Sequence, residues 1–428
     1  MTEKMKPSGI AWIGDIPQDW KCKRYRFCGN VQYGYPFNSD YFSSEETGFP
    51  LIRIRDITSG EIATYYEGTY PSEYVVQSGD VLIGMDGDFN VRIWKNRDAL
   101  LNQRCCRVFD SQQISKRFMA YYLPHYLKVI NDLTWSTTVK HLLADDINNI
   151  YVSYPGMREQ QAIADFLDSQ CAKIDSVIAD IEKQIETLQK YKKSLITETV
   201  TKGLDRSVPM KDSGIEWIGK IPAHWGTNRL RYVASVKTGP FGTQLSADEY
   251  VDEGVPIINV KNIGYGSILA EDLDFVPESV ADRLSVHRLK LDDIVFGRKG
   301  AVDKHAIITD EYVNWVQGSD CIRVRSNPEI NSGYLNYLFD STYFGSYVML
   351  YAVGATMPSM SSDILLNARI LVPPVQEQRD IAAYLNKQCG KINAIITNKQ
   401  AQLDTIRSHK KSLIYEYVTG KKRVTEVN

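Results

Sequence analysis

The sequence predicts a duplicated chain of the α/β (α+β) class, in which two globular α/β domains alternate with two long helices. Three observations support this prediction. A short leader and a long polar block with an apolar stripe both occur twice, in the same order. The stripes repeat mostly every three or four residues, which is typical of helices that pair with one another. The segments between leader and block alternate apolar and polar residues and contain glycine turns, which favours strands.

Length and composition narrow the class of protein further. A chain of 428 residues is too long for one ordinary domain, since domains usually hold about 100–200 residues. Hydrophobic residues make up 43% and charged residues 24%, as in folded globular proteins. The formal net charge is −2, which argues against a protein that coats nucleic acid by bulk charge. Local DNA recognition stays open, because only one face has to be basic.

The internal repeat has two parts with different offsets. The leader MKPSGIAWIGDIPQDW (Met5–Trp20) returns 205 residues later as MKDSGIEWIGKIPAHW (Met210–Trp225), with 11 of 16 positions identical. The long block opens at Pro155 and returns at Pro373, 218 residues later. Because the two offsets differ, the intervening segments differ in length. This period is far longer than that of stacked repeat proteins, so the chain is predicted to be a duplicated domain pair.

Each long block is predicted to form one helix. The sequence contains neither Pro nor Gly between Arg158 and Lys202, and Gly203 supplies a stop just beyond. About 44 helical residues would span about 66 Å, and such a helix needs a partner for its apolar stripe, most simply the matching helix. Gly390 predicts a less regular second helix. The predicted seam residues are Leu167, Ile174, Ile181, Leu188, Leu385, Ile392, Ile406 and Leu413.

These patterns divide the chain into four segments. Residues 1–155 and 205–373 each hold a leader and an α/β head with a mostly antiparallel or mixed sheet. Residues 156–204 and 374–428 each hold a long helix, the second followed by a C-terminal tail. The heads differ from each other more than the leaders and helices do, so any difference in specificity is expected in the heads.

No convincing catalytic, metal-ligating or cofactor-binding motif occurs in the sequence, so none is predicted for this chain. Gly214–Lys220 fits the start of a phosphate-binding loop, but Ile221 stands where Ser or Thr would bind magnesium. The six histidines lack ligand spacing and the seven cysteines form no CxxC pair, which suits reduced thiols in a cytosol. No apolar run is long enough for a membrane span, and the N-terminus lacks a secretory signal. We therefore expect a non-enzymatic cytoplasmic protein.

Basic residues at predicted loop positions are the candidate ligand contacts. Two similar but unequal heads joined by long helices suit a ligand with two different marks at a fixed distance, and double-stranded DNA is such a ligand. Arg and Lys contact phosphates and guanine edges, although each alone is equally explained as a solvated surface charge. Arg298 and Lys299 are favoured, because a glycine turn lets its tip approach DNA closely. The candidates are Arg53, Arg55, Arg92, Lys261, Arg298, Lys299, Lys304 and His305.

The duplicated motifs also resemble a known family. The leader SGIxWIGxIPxxW, the Pro-x-x-x-Glu-Gln opening of a long helix and the KKSLI near its end resemble the specificity (S) subunits of type I restriction-modification enzymes. The resemblance implies that each head is a target recognition domain that reads half of a bipartite, gapped DNA target. It implies that the helices pair antiparallel, set the gap and dock two methyltransferase (M) subunits. Those subunits would bind S-adenosylmethionine and methylate adenine, and restriction (R) subunits can join.

Two other functions stay open on the residues alone. A non-enzymatic coiled-coil scaffold with two protein-binding heads would have the same organisation. A self-contained DNA enzyme could have the same length, and binding of S-adenosylmethionine by the chain alone would favour it. A steep salt dependence of DNA binding would favour the specificity subunit over the scaffold, because phosphate contacts release counterions.

Overall fold

The computed structural model describes residues 4–133, 140–215, 218–300, 302–354 and 358–424. Glu216 and Trp217 of the predicted second leader lie outside these residues. The chain divides into two compact units, of which the first comprises Met1–Ile181 with Ala401–Asn428 and the second comprises Glu182–Gln400. Both boundaries between the units, at Ile181/Glu182 and at Gln400/Ala401, fall inside a long helix. Each unit therefore contains one head and one part of each long helix, whereas the four sequence segments follow the order along the chain.

The first head is built from short strands and three helices, and it leads into the first long helix. In chain order these elements are β1 (Met5–Pro7), β2 (Asp15–Pro17), β3 (Lys21–Arg24), β4 (Asn30–Tyr33), β5 (Phe42–Ser43), β6 (Phe49–Ile52), α1 (Ile54–Ser59), β7 (Tyr65–Tyr66), β8 (Val75–Val76), β9 (Val81–Gly84), β10 (Val91–Ile93), β11 (Ala99–Leu101), β12 (Cys105–Phe109), α2 (Lys116–Leu133), α3 (Ala144–Asn149), β13 (Tyr151–Tyr154) and α4 (Met157–Lys202).

Two sheets organise the first head. The four-stranded sheet has the order β10-β9-β12-β4, and its strand β12 is antiparallel to both β9 and β4. The second sheet has the order β5-β7-β6-β11-β8 and includes one parallel pair, β6 with β11. Helix α2 packs on the first sheet through Phe118 and Tyr122, which share a buried cluster with Val81 and Cys106. Strand alternation and helical spacing each supply one apolar face for this core.

The second head repeats this plan and leads into the second long helix. Its elements are β14 (Met210–Asp212), β15 (Lys220–Pro222), β16 (Gly226–Arg229), β17 (Ala234–Thr238), β18 (Val255–Ile258), β19 (Asp274–Val276), α5 (Glu278–Arg283), β20 (Ile294–Gly297), β21 (His305–Ile307), β22 (Val316–Gln317), β23 (Cys321–Ser326), α6 (Ser332–Asp340), α7 (Thr342–Tyr351), α8 (Ser362–Asn367), β24 (Arg369–Val372) and α9 (Val375–Val418).

The sheets of the second head correspond to those of the first. The order β17-β23-β20-β21 matches β4-β12-β9-β10, and β23 is antiparallel to both β17 and β20. In the smaller sheet, β19-β18-β22, the parallel pair of β18 with β22 matches that of β6 with β11. Tyr334 and Leu335 of α6 are buried against the larger sheet, in a cluster with Ile322 and Val324. The predicted duplicated α/β fold is confirmed.

The two long helices pair antiparallel within each unit. In the first unit, Leu167 near the start of α4 shares a cluster with Leu413 near the end of α9. In the second unit, Leu195 near the end of α4 shares a cluster with Leu385 near the start of α9. Early residues of one helix thus meet late residues of the other, as an antiparallel coiled coil requires.

Equivalent polar contacts flank the seam in both units. Lys410 Nζ donates to Asp175 Oδ1 at 2.6 Å in the first unit. Lys192 Nζ donates to Asn393 Oδ1 at 2.9 Å in the second. Lys192 and Lys410 lie 218 residues apart, as do Asp175 and Asn393, so the repeat offset is preserved in three dimensions.

The predicted seam residues differ in how deeply their side chains are buried. Leu167 and Leu385 are fully buried, and Ile181 and Ile392 nearly so. The other predicted seam residues are half-buried, namely Ile174, Leu188, Ile406 and Leu413. Further buried or half-buried positions, which the sequence analysis did not assign, continue the three-four spacing in both helices. They are Cys171, Ile178, Ile185, Cys389, Ile396 and Leu403.

Gly390 does not disturb the second long helix, and the expectation of irregularity there was wrong. Helix α9 runs without a break from Val375 to Val418. Gly390 lies on the exposed face, where a Cβ atom would have no heavy atom within 4 Å. A helical glycine costs about 1 kcal/mol relative to alanine, which a 44-residue helix with a packed seam tolerates. Gly203 does terminate α4, with φ of +73°.

The repeated Pro-x-x-x-Glu-Gln motif fastens each long helix to its head. Gln160 is fully buried, and its Nε2 donates to Gln113 O at 2.7 Å and to Pro155 O at 2.9 Å. Its Oε1 accepts from Ser115 N–H at 2.8 Å. Gln378 makes the same set of three contacts in the second unit, with Glu329 O, Pro373 O and Asn331 N–H.

The repeated leader packs against the end of a long helix in each unit. In the second unit, buried Trp225 lies so close to the end of α4 that a Cβ on Gly203 would come within 3.1 Å of its ring. In the first unit, a Cβ on Gly420, just beyond α9, would come within 2.4 Å of Pro17. Tyr415 Oη of α9 also donates to Trp12 O at 3.1 Å. In each unit the leader therefore packs against the C-terminal end of one long helix.

Candidate nucleic-acid interface

Three loops meet at one edge of the four-stranded sheet in the first head. Because β12 is antiparallel to β4 and β9, the ends of those two strands and the start of β12 lie at the same edge. Gly34 N–H donates to Cys105 O at 2.9 Å, and Met85 N–H donates to Arg104 O at 3.0 Å. We call this surface the first loop edge; it comprises Gly34–Phe37, Met85–Asp88 and Asn102–Arg104.

The second head has a matching surface. Gly239 N–H donates to Cys321 O at 2.9 Å, and Arg298 N–H donates to Asp320 O at 2.8 Å. The loops approach each other closely, since a Cβ on Gly239 would lie 1.8 Å from Gly318 O. We call this surface the second loop edge; it comprises Gly239–Phe241, Arg298–Gly300 and Gly318–Asp320.

The parallel strand pair in each head brings one more segment to the loop edge. β6 is parallel to β11, so Arg53, directly after β6, lies at the same edge as the loop that follows β11. Arg53 is exposed there. In the second head, Asn259 follows β18 in the same way, and Lys261 is exposed two residues later. Lys261 Nζ lies 3.1 Å from Asp274 Oδ1, which partly neutralises it.

Two of the predicted arginines make hydrogen bonds within the first head. Arg92 lies in the middle of β10, where its guanidinium donates to the carbonyls of Ile57 and Thr58 at the end of α1. These carbonyls lack helical partners, so Arg92 completes the hydrogen bonding of the helix end. Arg55 donates to Thr64 Oγ1 at 2.8 Å, although its side chain remains more than half exposed.

The prediction that His305 contacts a ligand was wrong, because the side chain is buried. Its ring stacks on Phe296 with centroids 5.0 Å apart, and Nε2 lies 3.2 Å from Asn336 O. His305 is the direct cross-strand partner of Phe296, so the two side chains lie on the same buried face of the sheet. The neighbouring Lys304 remains available at the edge, with its Nζ 5.5 Å from the centroid of the exposed Tyr265 ring.

Arg298 and Lys299 lie at the tip of the second loop edge. Gly300 has φ of +74° and no heavy atom within 4 Å of its Cβ position, so the turn is open toward the outside. Lys299 Nζ lies 3.5 Å from Asp320 Oδ1, and both side chains are about half exposed. Arg298 Nε is buried and lacks a hydrogen-bond partner within the described part of the chain. The sequence prediction for this glycine turn therefore agrees with its exposed position.

Sequence reasoning missed the polar residues of the first loop edge. Asp86 Oδ1 lies 2.6 Å from His141 Nδ1 and 3.8 Å from Arg104 Nη1. Within the heads, residues 79–84 resemble residues 292–297 and residues 105–108 resemble residues 321–324, and these similar segments stop just short of Asp86 and Arg104. Extending that alignment by two residues at each end would have paired these positions with those around Lys299 and Asp320. His141 had no signal, because it reaches Asp86 only through the folded chain.

The cysteines give no sign of reactive chemistry. All seven are free, and burial raises the pKa of the Cys105 thiol to about 12 and that of Cys106 well above its usual value. Such thiols stay protonated near neutral pH and are poor nucleophiles.

Among the residues that the structure describes, no group of His, Cys, Asp and Glu could hold a metal ion. None of the helices in those residues is long and apolar enough to cross a membrane.

Comparison with known proteins decides the family. Residues 17–187 and 222–405 both match the type I restriction modification DNA specificity domain. The chain belongs to this family. The EcoBI type I restriction enzyme specificity subunit of Escherichia coli is 28% identical over 361 residues, which cover 82% of this chain and 75% of that protein. The MjaVIII specificity subunit of Methanocaldococcus jannaschii is 26% identical over 429 residues, covering 96% of this chain and 95% of that protein.

A solved structure supports the same fold. It belongs to work on complex assembly and conformational transition of the type I R-M system, and the matching chain has a TM-score of 0.68 at 15% identity. The alignment covers 95% of this specificity-family chain and 99% of the other. The two matched ranges of the family fall one in each repeat, which is the duplication found in the sequence.

Proposed function

We propose that this chain is the DNA specificity subunit of a type I restriction-modification enzyme, in which each head reads half of a bipartite, gapped target. The observation that carries the proposal is the duplicated loop edge. Both edges have the same backbone arrangement, yet they present different charged side chains to solvent. A matched pair of surfaces with different side chains suits the reading of two different half-targets on one DNA duplex.

We assign the gap and the assembly to the paired helices. Within each unit the two helices share a packed antiparallel seam, while the opposite faces of α4 and α9 are exposed and rich in charged residues. Two such faces, repeated at the 218-residue offset, would accept two methyltransferase subunits in equivalent ways. Restriction subunits would join the assembly of these chains with DNA.

We further propose that the chain is not itself an enzyme and acts in the cytoplasm. S-adenosylmethionine would be bound by the methyltransferase subunits and not by this chain. The protonated, buried thiols support this division of labour. Catalytic turnover or S-adenosylmethionine binding by the purified chain, free of partner subunits, would contradict it.

Mapping of methylated adenines tests the central proposal. Cells that carry the chain and its methyltransferase partner should acquire methylated adenines in one bipartite, asymmetric motif, and cells without the chain should lack that motif. An unchanged methylation pattern would refute the assignment. A salt titration of DNA binding by the complex separates this function from a protein-binding scaffold, because phosphate contacts produce a steep decrease in affinity with salt.

A further inference from the structure

One turn at each loop edge is held by the same three backbone hydrogen bonds. In the first head, Met85 N–H donates to Arg104 O at 3.0 Å and Leu142 N–H donates to Met85 O at 2.7 Å. The third bond joins Gly87 N–H to Lys140 O at 2.9 Å. The turn is thereby fixed on both sides, by the start of β12 and by the segment before α3.

The second head repeats each of these bonds. Arg298 N–H donates to Asp320 O at 2.8 Å, and Met360 N–H donates to Arg298 O at 2.9 Å. Gly300 N–H donates to Pro358 O at 2.8 Å. The backbone correspondence is therefore set by hydrogen bonds and needs no sequence similarity at the tip of the turn.

This correspondence places opposite charges at equivalent positions. Asp86 occupies the position of Lys299, and Arg104 occupies the position of Asp320. In the first head the carboxylate is on the turn, as Asp86, and the guanidinium is on Arg104, just before β12; Asp86 Oδ1 and Arg104 Nη1 lie 3.8 Å apart. In the second head the ammonium is on the turn, as Lys299, and the carboxylate is on Asp320, just before β23; Lys299 Nζ and Asp320 Oδ1 lie 3.5 Å apart. The ion pair is present in both heads with its direction reversed.

A second ion pair in the same sheets does not reverse. Arg107 Nη1 lies 3.0 Å from Asp80 Oδ2 in the first head, and Arg325 Nε lies 2.6 Å from Asp293 Oδ1 in the second. Both pairs are largely buried, and Asp80 and Asp293 occupy equivalent positions, whereas Arg325 lies two residues beyond Arg323, the β23 residue that is equivalent to Arg107. Packing thus preserves charge order where it constrains the sheet, so the reversal at the loop edge is not a requirement of the fold.

The reversed pairs are partly accessible. Arg104 and Lys299 are each more than half exposed, whereas the Asp86 side chain is 19% exposed. Gly87 and Gly300 have φ of +76° and +74°, and a Cβ at either would meet no heavy atom within 4 Å. Asp86 is held in place by His141, with Oδ1 and Nδ1 2.6 Å apart. Each turn therefore presents a positioned charged group beside open space.

We infer that these two turns are specificity-determining elements that read different bases because their charges are reversed. The inference rests on the proposed function. A carboxylate accepts hydrogen bonds from the exocyclic amino group of cytosine or adenine, whereas Lys and Arg donate to the O6 and N7 atoms of guanine. The Asp86 turn of the first head reads a base with an amino group in the major groove. The Lys299 turn of the second head reads a guanine.

The carboxylate at the first turn acts mainly by exclusion. An acidic side chain gains nothing from the phosphate backbone and opposes any base edge that offers only acceptors. It becomes favourable only opposite an amino donor, so it lowers binding to wrong sequences more than it raises binding to the right one.

Charge exchange in the full-length chain tests the inference. Lys299→Asp combined with Asp320→Arg gives the second head the charge order of the first and keeps an ion pair across the turn. The variant is expressed with its methyltransferase partner and its methylated sites are mapped. We expect the half-target of the second head to lose a guanine and gain cytosine or adenine there. Binding to the original duplex should weaken by about 5- to 140-fold, the range for one base contact.

Two further variants complete the test. Asp86→Lys with Arg104→Asp should change only the other half-target. Glu46→Arg with Arg97→Glu exchanges an exposed ion pair that precedes β6 and β11, at the edge opposite the first loop edge, and should leave both half-targets as they were. If the unaltered chain directs no bipartite motif, the proposed function fails. If it does, the inference is overturned when both turn exchanges leave the half-targets unchanged, or when they weaken binding equally on every sequence.

Discussion

A fragment that ends after the first long helix should form a homodimer, because α4 carries its own copy of the α9 surface that covers the first head. In the first unit, residues from Lys410 to Val418 of α9 pack against Asp175, Leu167 and the leader. Their counterparts at an offset of 218 are residues 192–200 of α4 itself. Two copies of Met1–Gly203 can therefore supply each other with the missing helix.

The contacts in the structure show how the affinity of this homodimer should compare with the pairing of α4 and α9. Lys192, Leu195, Ile196 and Val200 replace Lys410, Leu413, Ile414 and Val418 with the same residue types. Two contacts are lost, because Thr197 stands for Tyr415 and Thr199 stands for Tyr417. Tyr415 Oη donates to Trp12 O at 3.1 Å, and the Tyr417 ring lies 4.5 Å from that of Phe166.

Each lost contact costs about 1 kcal/mol, since a net hydrogen bond and an aromatic pair each contribute roughly that much. A symmetric dimer loses both contacts twice, or about 4 kcal/mol, which corresponds to roughly a 700-fold weaker Kd than with the tyrosines present. Restoring them with Thr197→Tyr and Thr199→Tyr should therefore tighten the homodimer by two to three orders of magnitude.

Sedimentation equilibrium of the two fragments over a concentration series measures this difference. Ser194→Tyr is the matched control, because its counterpart Ser412 is exposed on α9 and an added tyrosine there should not tighten the dimer. If the fragment stays monomeric and the double tyrosine variant stays monomeric too, the helix halves are not equivalent and the reasoning fails. The dimer, with methyltransferase, should methylate a symmetric site made of two first half-targets.

Three other predictions follow from the same structure. Arg298→Ala with Lys299→Ala should weaken DNA binding by about 1–3 kcal/mol on the second half-target while assembly with methyltransferase persists, and unchanged affinity at moderate salt would show that the turn faces away from DNA. Four helix-forming residues inserted after Glu182 and again after Gln400 should lengthen both helices by about 6 Å and widen the unspecified gap by roughly one or two base pairs, with both half-targets kept in methylation maps. Burial lowers the pKa of His287 to about 4, so the second unit should lose stability as pH falls from about 6.5 toward 4, where the unfolded chain binds the proton first, and His287→Gln should flatten that part of a pH–stability curve measured by thermal unfolding.

The fold was predictable because its signals are local. Two leaders, two apolar stripes and the alternation between them depend on residues a few positions apart, and those spacings survive into helices and strands. The failures came where local spacing was only one of several constraints. Gly390 suggested a disturbed helix, but seam packing along the whole length of α9 outweighs one unfavourable residue.

The candidate site was less predictable because it depends on which strands become neighbours. Arg92 looked like a loop cation and instead completes the end of α1, from which it is 33 residues away in sequence. His305 looked polar and exposed, yet its position opposite Phe296 on the neighbouring strand buries it. Asp86 and His141 are 55 residues apart, so no motif could join them. Charge alone marked Arg53 at the first loop edge and Arg298 and Lys299 at the second, but it did not mark Asp86 or His141.

The two copies show which positions the fold needs and which are free to change. Gln160 and Gln378 keep the same three hydrogen bonds, and the equivalent Asp80 and Asp293 each keep an arginine partner from the neighbouring strand, because each is enclosed by its own head. A change at any of these would leave buried polar groups without partners, at a cost of about 1–3 kcal/mol each. The turns at Asp86 and Lys299 share the same three backbone hydrogen bonds, and their charged side chains lie outside the core of the sheet, so the charge there can differ between the two heads without a change in the turn backbone. A duplicated protein built this way can alter one half-target without affecting the other, since the variable residues and the structural residues do not share contacts.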